Sequence, residues 1–248
     1  MLKISDSGDT AYLRMAHGKV NAIDMEMCRE LLRALDELAS ANCKVVVLAG
    51  NEGVFSAGVD LKRWLAEGTD YVEPFLAALE DVFRAVLSFP KPIIAQVQGH
   101  AIAGGCMLAC ACDYRLIGPQ SRIGIPELRI GVPLPMTAIE IVRMVAAPQA
   151  FQRIVNVGAT FVGQQAVDVG LADEVATNEQ MAARTSEITS AYMSVPLTAF
   201  QLTKQQIRLP VLRQIDANRQ ALLGAYIELW KSPSTRASVA QYVQQRLS

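Results

Sequence analysis

An α/β fold follows from three features of this sequence. They are wholly apolar runs the length of buried strands, amphipathic stretches of helical period between them, and glycine-bearing turns where strand gives way to helix. The order begins with a short strand near 11–15 and a helix over 25–41, in which Leu31, Leu32, Leu35 and Leu38 recur at helical spacing. Next come the strand KVVVLAG (44–50), the turn-rich GNEGVFSAG and a helix opening near Asp60. A helix over 71–87 stops before Pro90. The strand IIAQVQG (93–99), the turn AIAGG, a helix from Gly105 and the strand DYRLIG (113–118) follow. Strands alternating with helices predict a largely parallel sheet. From about Pro133 the helix signal takes over, in MTAIEIVRMV, PQAFQRIVNVG, TNEQMAARTSEITSAYM, LTAFQLTKQQI and a tail from Leu209 to Leu247. The expected organisation is an α/β core over 1–195 with a C-terminal helical extension over 196–248.

Composition narrows the function. The formal net charge of the 248 residues is -1, so no field favours nucleic acid or an anionic membrane, and an anionic ligand must be held by local groups. The N-terminal stretch lacks the apolar core of a signal peptide, and no run approaches the roughly 18 apolar residues of a membrane span. A cytoplasmic or organelle-matrix setting is expected. Five cysteines, an odd number, fit reduced thiols. The C-A-C at Cys110 and Cys112 invites a metal reading, but neither His17 nor His100 stands at ligand spacing and the run is apolar. No metal is expected.

Two turns carry the chemistry. FSAGVDL (55–61) and HAIAGGCML (100–108) each follow an apolar strand, contain glycine and open a helix. The first N–H groups of a helix have no internal partner and sit at the positive end of its dipole. Such a turn is ready for an anion, or for a carbonyl oxygen that becomes one. Neither has the lysine of a phosphate loop or the three spaced glycines of a dinucleotide site. Alone, each is an ordinary βα turn.

Taken together with NAID (21–24), KPIIAQVQGHAIAGGCMLACACDYRL (91–116) and IGIPELRIGVPLP (123–135), they resemble the crotonase (enoyl-CoA hydratase/isomerase) superfamily, in family order from about residue 10 to 175. The resemblance implies a spiral of repeated ββα units. It implies that the N–H groups of Val59 and Gly104 form an oxyanion hole for a thioester carbonyl, and that coenzyme A, as part of the substrate and not as a cofactor, lies along Val20, Ala22, Ala57 and Leu61. Lys19 and Lys62 flank these segments and are candidate phosphate contacts, or simply exposed lysines. Homotrimers, or pairs of trimers, are the assemblies the resemblance implies. The final YVQQRLS has glutamine where some relatives place a phosphate-contacting lysine, leaving Arg246 as its cation.

One departure from the family pattern points to the reaction. Hydratases of this type use two glutamates; Glu127, in IPEL, matches one, and the other position is Met107, within GGCM. A thioether is neither acid nor base at neutral pH. A double-bond shift from a 3-enoyl to a 2-enoyl thioester needs one base only, and the wording AGGC (103–106) to CDYR (112–115) resembles more closely the single-glutamate enoyl-CoA isomerases. Ile123, Ile125, Leu128, Ile130 and Val132 surround Glu127, so burial is expected to raise its pKa. Without the resemblance, a surface pair with Arg129 or Arg122 would be preferred. Glu140 is either a second acid in the acyl pocket or the (i, i+3) partner of Arg143. Met107 either lines that pocket or packs in the core, and a loop around 64–72 and the 133–140 region are expected to shape it. Hydration, hydrolysis of a specialised acyl-CoA, and acyl-CoA binding without turnover are the competing readings.

Overall fold

The computed structural model describes residues 1–51 and 53–246; Glu52, read as part of the 50–58 turn, and Leu247, read as the end of the tail helix, lie outside the described residues. The chain opens with the antiparallel pair β1 (Leu2–Ser7) and β2 (Thr10–Met15). α1 (Met25–Ser40) buries Met27, Cys28, Leu31, Ala34, Leu35 and Leu38 along one stripe, and Asp24 caps it by accepting from Met27 N–H at 2.8 Å.

Three units then repeat. β3 (Val45–Ala49) and β4 (Gly53–Ser56) precede α2 (Leu61–Glu67) and α3 (Thr69–Leu87); β5 (Ile93–Val97) and β6 (Gly99–Ile102) precede α4 (Gly104–Ala111). β7 (Tyr114–Ile117) and β8 (Arg122–Gly124) precede a 3₁₀ turn, Glu127–Ile130, and α5 (Met136–Val145). The first strand of each unit joins a six-stranded sheet in the order β1-β2-β3-β5-β7-β10, with β10 at Glu174–Val175. The second joins a four-stranded sheet, β4-β6-β8-β9, with β9 at Thr160–Val162. This is the ββα spiral expected. β3 and β5 are buried along their whole length, which is why they read as continuous apolar runs.

After α5, α6 (Pro148–Val157), α7 (Gln164–Asp168) and α8 (Asn178–Met193) lead to α9 (Leu197–Lys231) and α10 (Pro233–Arg246). The sequence suggested a break near Leu209, but α9 runs through Pro210. Pro210 is on the solvent side, where the carbonyl it leaves unbonded can be hydrated. The segment around 64–72 is likewise no loop: Gly68, at φ 84°, joins α2 directly to α3. α9 is tied to the α/β core by buried charges. Asp113 accepts from Ile93 N–H at 2.9 Å and Lys204 Nζ at 2.7 Å, and its other oxygen from Arg208 at 3.2 Å. Removing one partner of such a set costs about 3–5 kcal/mol. Ile215, Trp230 and Val239 carry α9 and α10 into the main apolar core.

Candidate active site

The four-stranded sheet delivers the site. β4, β6 and β8 lie side by side and parallel, and Val59, Gly104 and Glu127 stand two or three residues beyond their C-terminal ends. Parallel strands therefore bring three residues far apart in sequence to one sheet edge, where α/β folds form ligand crevices.

At the first turn, Ile23 forms a parallel bridge with Val59, its N–H donating to Gly58 O at 2.7 Å and its carbonyl accepting from Asp60 N–H at 2.9 Å. That pattern turns Val59 N–H away from Ile23. Ser56 Oγ fixes the turn by accepting from Gly58 N–H at 3.1 Å and donating to Asn21 O at 2.7 Å. Asn21, at φ 48°, donates to Phe55 O and accepts from His17 N–H. His17 and Arg63 converge on the buried Asp24, at 2.8 and 3.2 Å, and Arg63 also pairs with Glu26. The NAID motif is thus a brace for the first turn, a role the sequence did not reveal.

At the second turn, Ala103 holds φ 56° and ψ −124°, and its N–H donates to Gly124 O at 2.9 Å. Gly104 then begins α4 with a buried, orphan N–H. Among the described residues, no acceptor is bonded to Val59 N–H or Gly104 N–H. The turns press together: a Cβ on Gly58, at φ 85°, would lie 2.6 Å from Ala103 Cβ and 3.1 Å from Gly104 N, so only glycine fits.

Glu127 sits on the 3₁₀ turn closed by Gly131 in the left-handed conformation. Its Oε2 is buried without a hydrogen-bond partner, and burial pushes its pKa up to about 7, with a backbone N–H in modest opposition. Arg129 is not its partner; it donates to Val157 O. Arg122 donates to Thr160. The alternative surface pair is therefore absent among the described residues.

The remaining expected residues divide. Ala57 N–H donates to Val20 O at 3.0 Å, which sets Val20, Ala22, Ala57 and Leu61 on adjoining segments, with Val20 and Ala57 exposed and Ala22 and Leu61 half-buried. Lys19 and Lys62 are exposed beside them, and Arg246 is exposed at the end of α10. Met107 is buried in the core. Glu140 is buried too, but takes Arg143 Nε at 3.2 Å. Of Glu127 and Glu140, only Glu127 lacks a cation among the described residues. Tyr226 on α9 packs against the main core, and its hydroxyl is held well above its ordinary pKa, first by desolvation, with the charges of Glu80 and Glu127 adding to it.

Comparison with known proteins agrees with this fold. The family model for enoyl-CoA hydratase/isomerase matches residues 7–247. Human mitochondrial enoyl-CoA delta isomerase 1 is 24% identical over 94% of this chain and 79% of its own. The crystal structure of human mitochondrial delta3-delta2-enoyl-CoA isomerase superposes with a TM-score of 0.93 at 24% identity, covering 98% of this chain and 97% of that one, a likeness of fold. A probable enoyl-CoA hydratase, EchA3 of Mycobacterium tuberculosis, gives 0.86 at 29% identity, over 93% and 99%. The chain belongs to the enoyl-CoA hydratase/isomerase family, with the crotonase fold.

Proposed function

We propose that this enzyme moves the double bond of a 3-enoyl-CoA to the 2-position. The single observation that carries the reading is Glu127, an unpartnered buried carboxylate at the sheet edge, with the buried Met107 where a hydratase has its second glutamate. The thioester oxygen accepts from Val59 and Gly104 N–H. Carboxylate Glu127 removes a proton from carbon 2, and the electrons spread over a dienolate whose oxygen the two N–H groups stabilise. Glu127 returns the proton at carbon 4, leaving the double bond between carbons 2 and 3. One such donor is worth roughly 3–4 kcal/mol of barrier, and a base with a pKa near the working pH serves both halves of the transfer. Coenzyme A lies along Val20, Ala22, Ala57 and Leu61, with Lys19 and Lys62 near its phosphates. Exposed Leu202, Ile207 and Leu222 on α9 suit the trimer, or pair of trimers, that the family resemblance implies. Absorbance of the conjugated thioester tests the reaction. Glu127-dependent gain from a 3-enoyl-CoA, with little loss from the matched 2-enoyl-CoA, supports it. Glu127-dependent loss from the 2-enoyl substrate means that water is added, and replaces isomerisation with hydration.

A further inference from the structure

The region beneath α10 holds a cation with no anion. Arg236 lays its guanidinium 5.3 Å over the ring of Trp64 and donates from Nη2 to Leu65 O at 2.9 Å. Its Nη1 is buried without a partner, and no carboxylate pairs with it among the described residues. Trp64 Nε1 is a second buried donor with no acceptor, on a side chain with 0% exposure. Trp230 closes the cluster, its ring 5.4 Å from Trp64 in an edge-to-face arrangement. A buried donor left unbonded costs about 1–3 kcal/mol, more when charged, so two at one place mark a site for an acceptor.

The cluster's position shows which part of a ligand would reach it. Trp64 stands on α2, five residues after Val59, and Leu65 follows it. α10 is pinned to the other side of the site by Thr235 Oγ1, which donates to Gly131 O at 3.3 Å just past the 3₁₀ turn that carries Glu127. α10 thus packs both on the helix that follows Val59 and on the turn that carries Glu127, and the two donors are buried beneath it. Val20 and Ala57, on the proposed coenzyme A track, are exposed, whereas these donors are buried.

Resting on the acyl-CoA reading of this site, we infer that Arg236 and Trp64 recognise a carboxylate at the far end of the acyl chain, so that the substrate class is an ω-carboxyacyl-CoA. A carboxylate supplies the missing charge and accepts from both buried donors, whereas a hydrocarbon tail would leave all of them unmatched.

Binding of two saturated thioesters of equal carbon count, adipyl-CoA and hexanoyl-CoA, tests this by calorimetry without requiring turnover. The wild-type enzyme is expected to bind adipyl-CoA at least tenfold more tightly, the worth of one charge-assisted hydrogen bond. Arg236→Met should collapse that ratio toward one, and Trp64→Phe should reduce it. A wild-type ratio at or below one overturns the inference, as does a ratio unmoved in both variants. Arg236→Met weakening free coenzyme A to the same degree also overturns it, since Arg236 would then be a phosphate contact. Where a variant does not fold, as judged by circular dichroism, the wild-type ratio decides. Failure of the isomerase assay leaves this binding ratio measurable, so the two readings fail separately.

Discussion

Ala103 stands at φ 56°, ψ −124° ahead of α4, and Gly163 at φ 50°, ψ −120° ahead of α7, so the chain makes nearly the same turn twice. Both turns follow a strand of the four-stranded sheet, and both leave a helix's first N–H groups without internal partners. They differ in what surrounds the freed donor. Gly104 is buried and faces the Gly58–Val59 turn, whereas Gln164 is exposed and α7 is only five residues long. On the exposed Gln164 the donor is open to hydration; on the buried Gly104 it stands beside the Gly58–Val59 turn, where a developing oxyanion would gain far more from it. In the proposed reaction, therefore, backbone shape alone does not make an oxyanion hole; burial and a second donor do.

The largest effect should come from Glu127, the proposed base. Glu127→Gln keeps the shape and removes the proton acceptor, and should lower kcat by roughly 10²–10⁴. In the wild type, kcat/KM should fall as pH drops through about 7, because the working form is the carboxylate. Stability moves the other way. A carboxyl whose pKa is raised on folding favours the native state at low pH, and that benefit disappears as pH rises through 7. Glu127→Gln should therefore melt higher than wild type at pH 8, by an amount on the order of 3 kcal/mol at most, and should lose the advantage near pH 4. A pH-independent difference would show that burial of Glu127 does not set its proton affinity.

Next in size is Gly58→Ala, which forces a Cβ between the two turns of the site. The expected loss is roughly 10²–10³ in kcat, as for removal of one oxyanion donor. Thermal denaturation checks that the protein remains folded. Gly163→Ala sharpens the comparison at the solvated turn, where a Cβ would lie 2.3 Å from Pro119 O. It should cost about 1–3 kcal/mol of stability with little change in kcat per folded molecule. Equal losses of kcat in the two variants would mean that the solvated turn also supports catalysis.

How much of this could be read in advance depends on the sheet. β3 and β5, buried on both faces, announce themselves as VVVLA and IIAQV. The strands of the smaller sheet have three or four residues each, with Gly53, Gly99 and Gly124 at their ends, and no period-two pattern can be seen in so short a run. β1, mostly exposed as LKISDS, was equally silent. Val59, Gly104 and Glu127 were found through family wording, not periodicity, and their convergence is a property of the sheet that the sequence hides. The same holds for Asp113 and Lys204, and for Arg236 over Trp64. These pairs join residues roughly ninety and more positions apart, and local patterning carries no information about such contacts.

Ala103→Gly is the smallest and most discriminating change, because it gives the buried turn the residue already used at the solvated one. A non-glycine residue in this backbone region costs on the order of 1–3 kcal/mol, which glycine would release. Against that, glycine loses more backbone freedom on folding, roughly 0.5–1 kcal/mol relative to alanine, and the methyl that packs toward Gly58 disappears. Stability should thus change by no more than about 1 kcal/mol, measured as a shift in denaturation midpoint at constant slope. Activity should fall a few-fold, because the same freedom lets Gly104 N–H wander from the oxygen it must meet. A several-fold rise in activity would mean that the strain at Ala103 misplaces the donor. A loss of several kcal/mol with kcat intact would mean that the alanine methyl serves packing alone, and the two turns would then differ in stability rather than in chemistry.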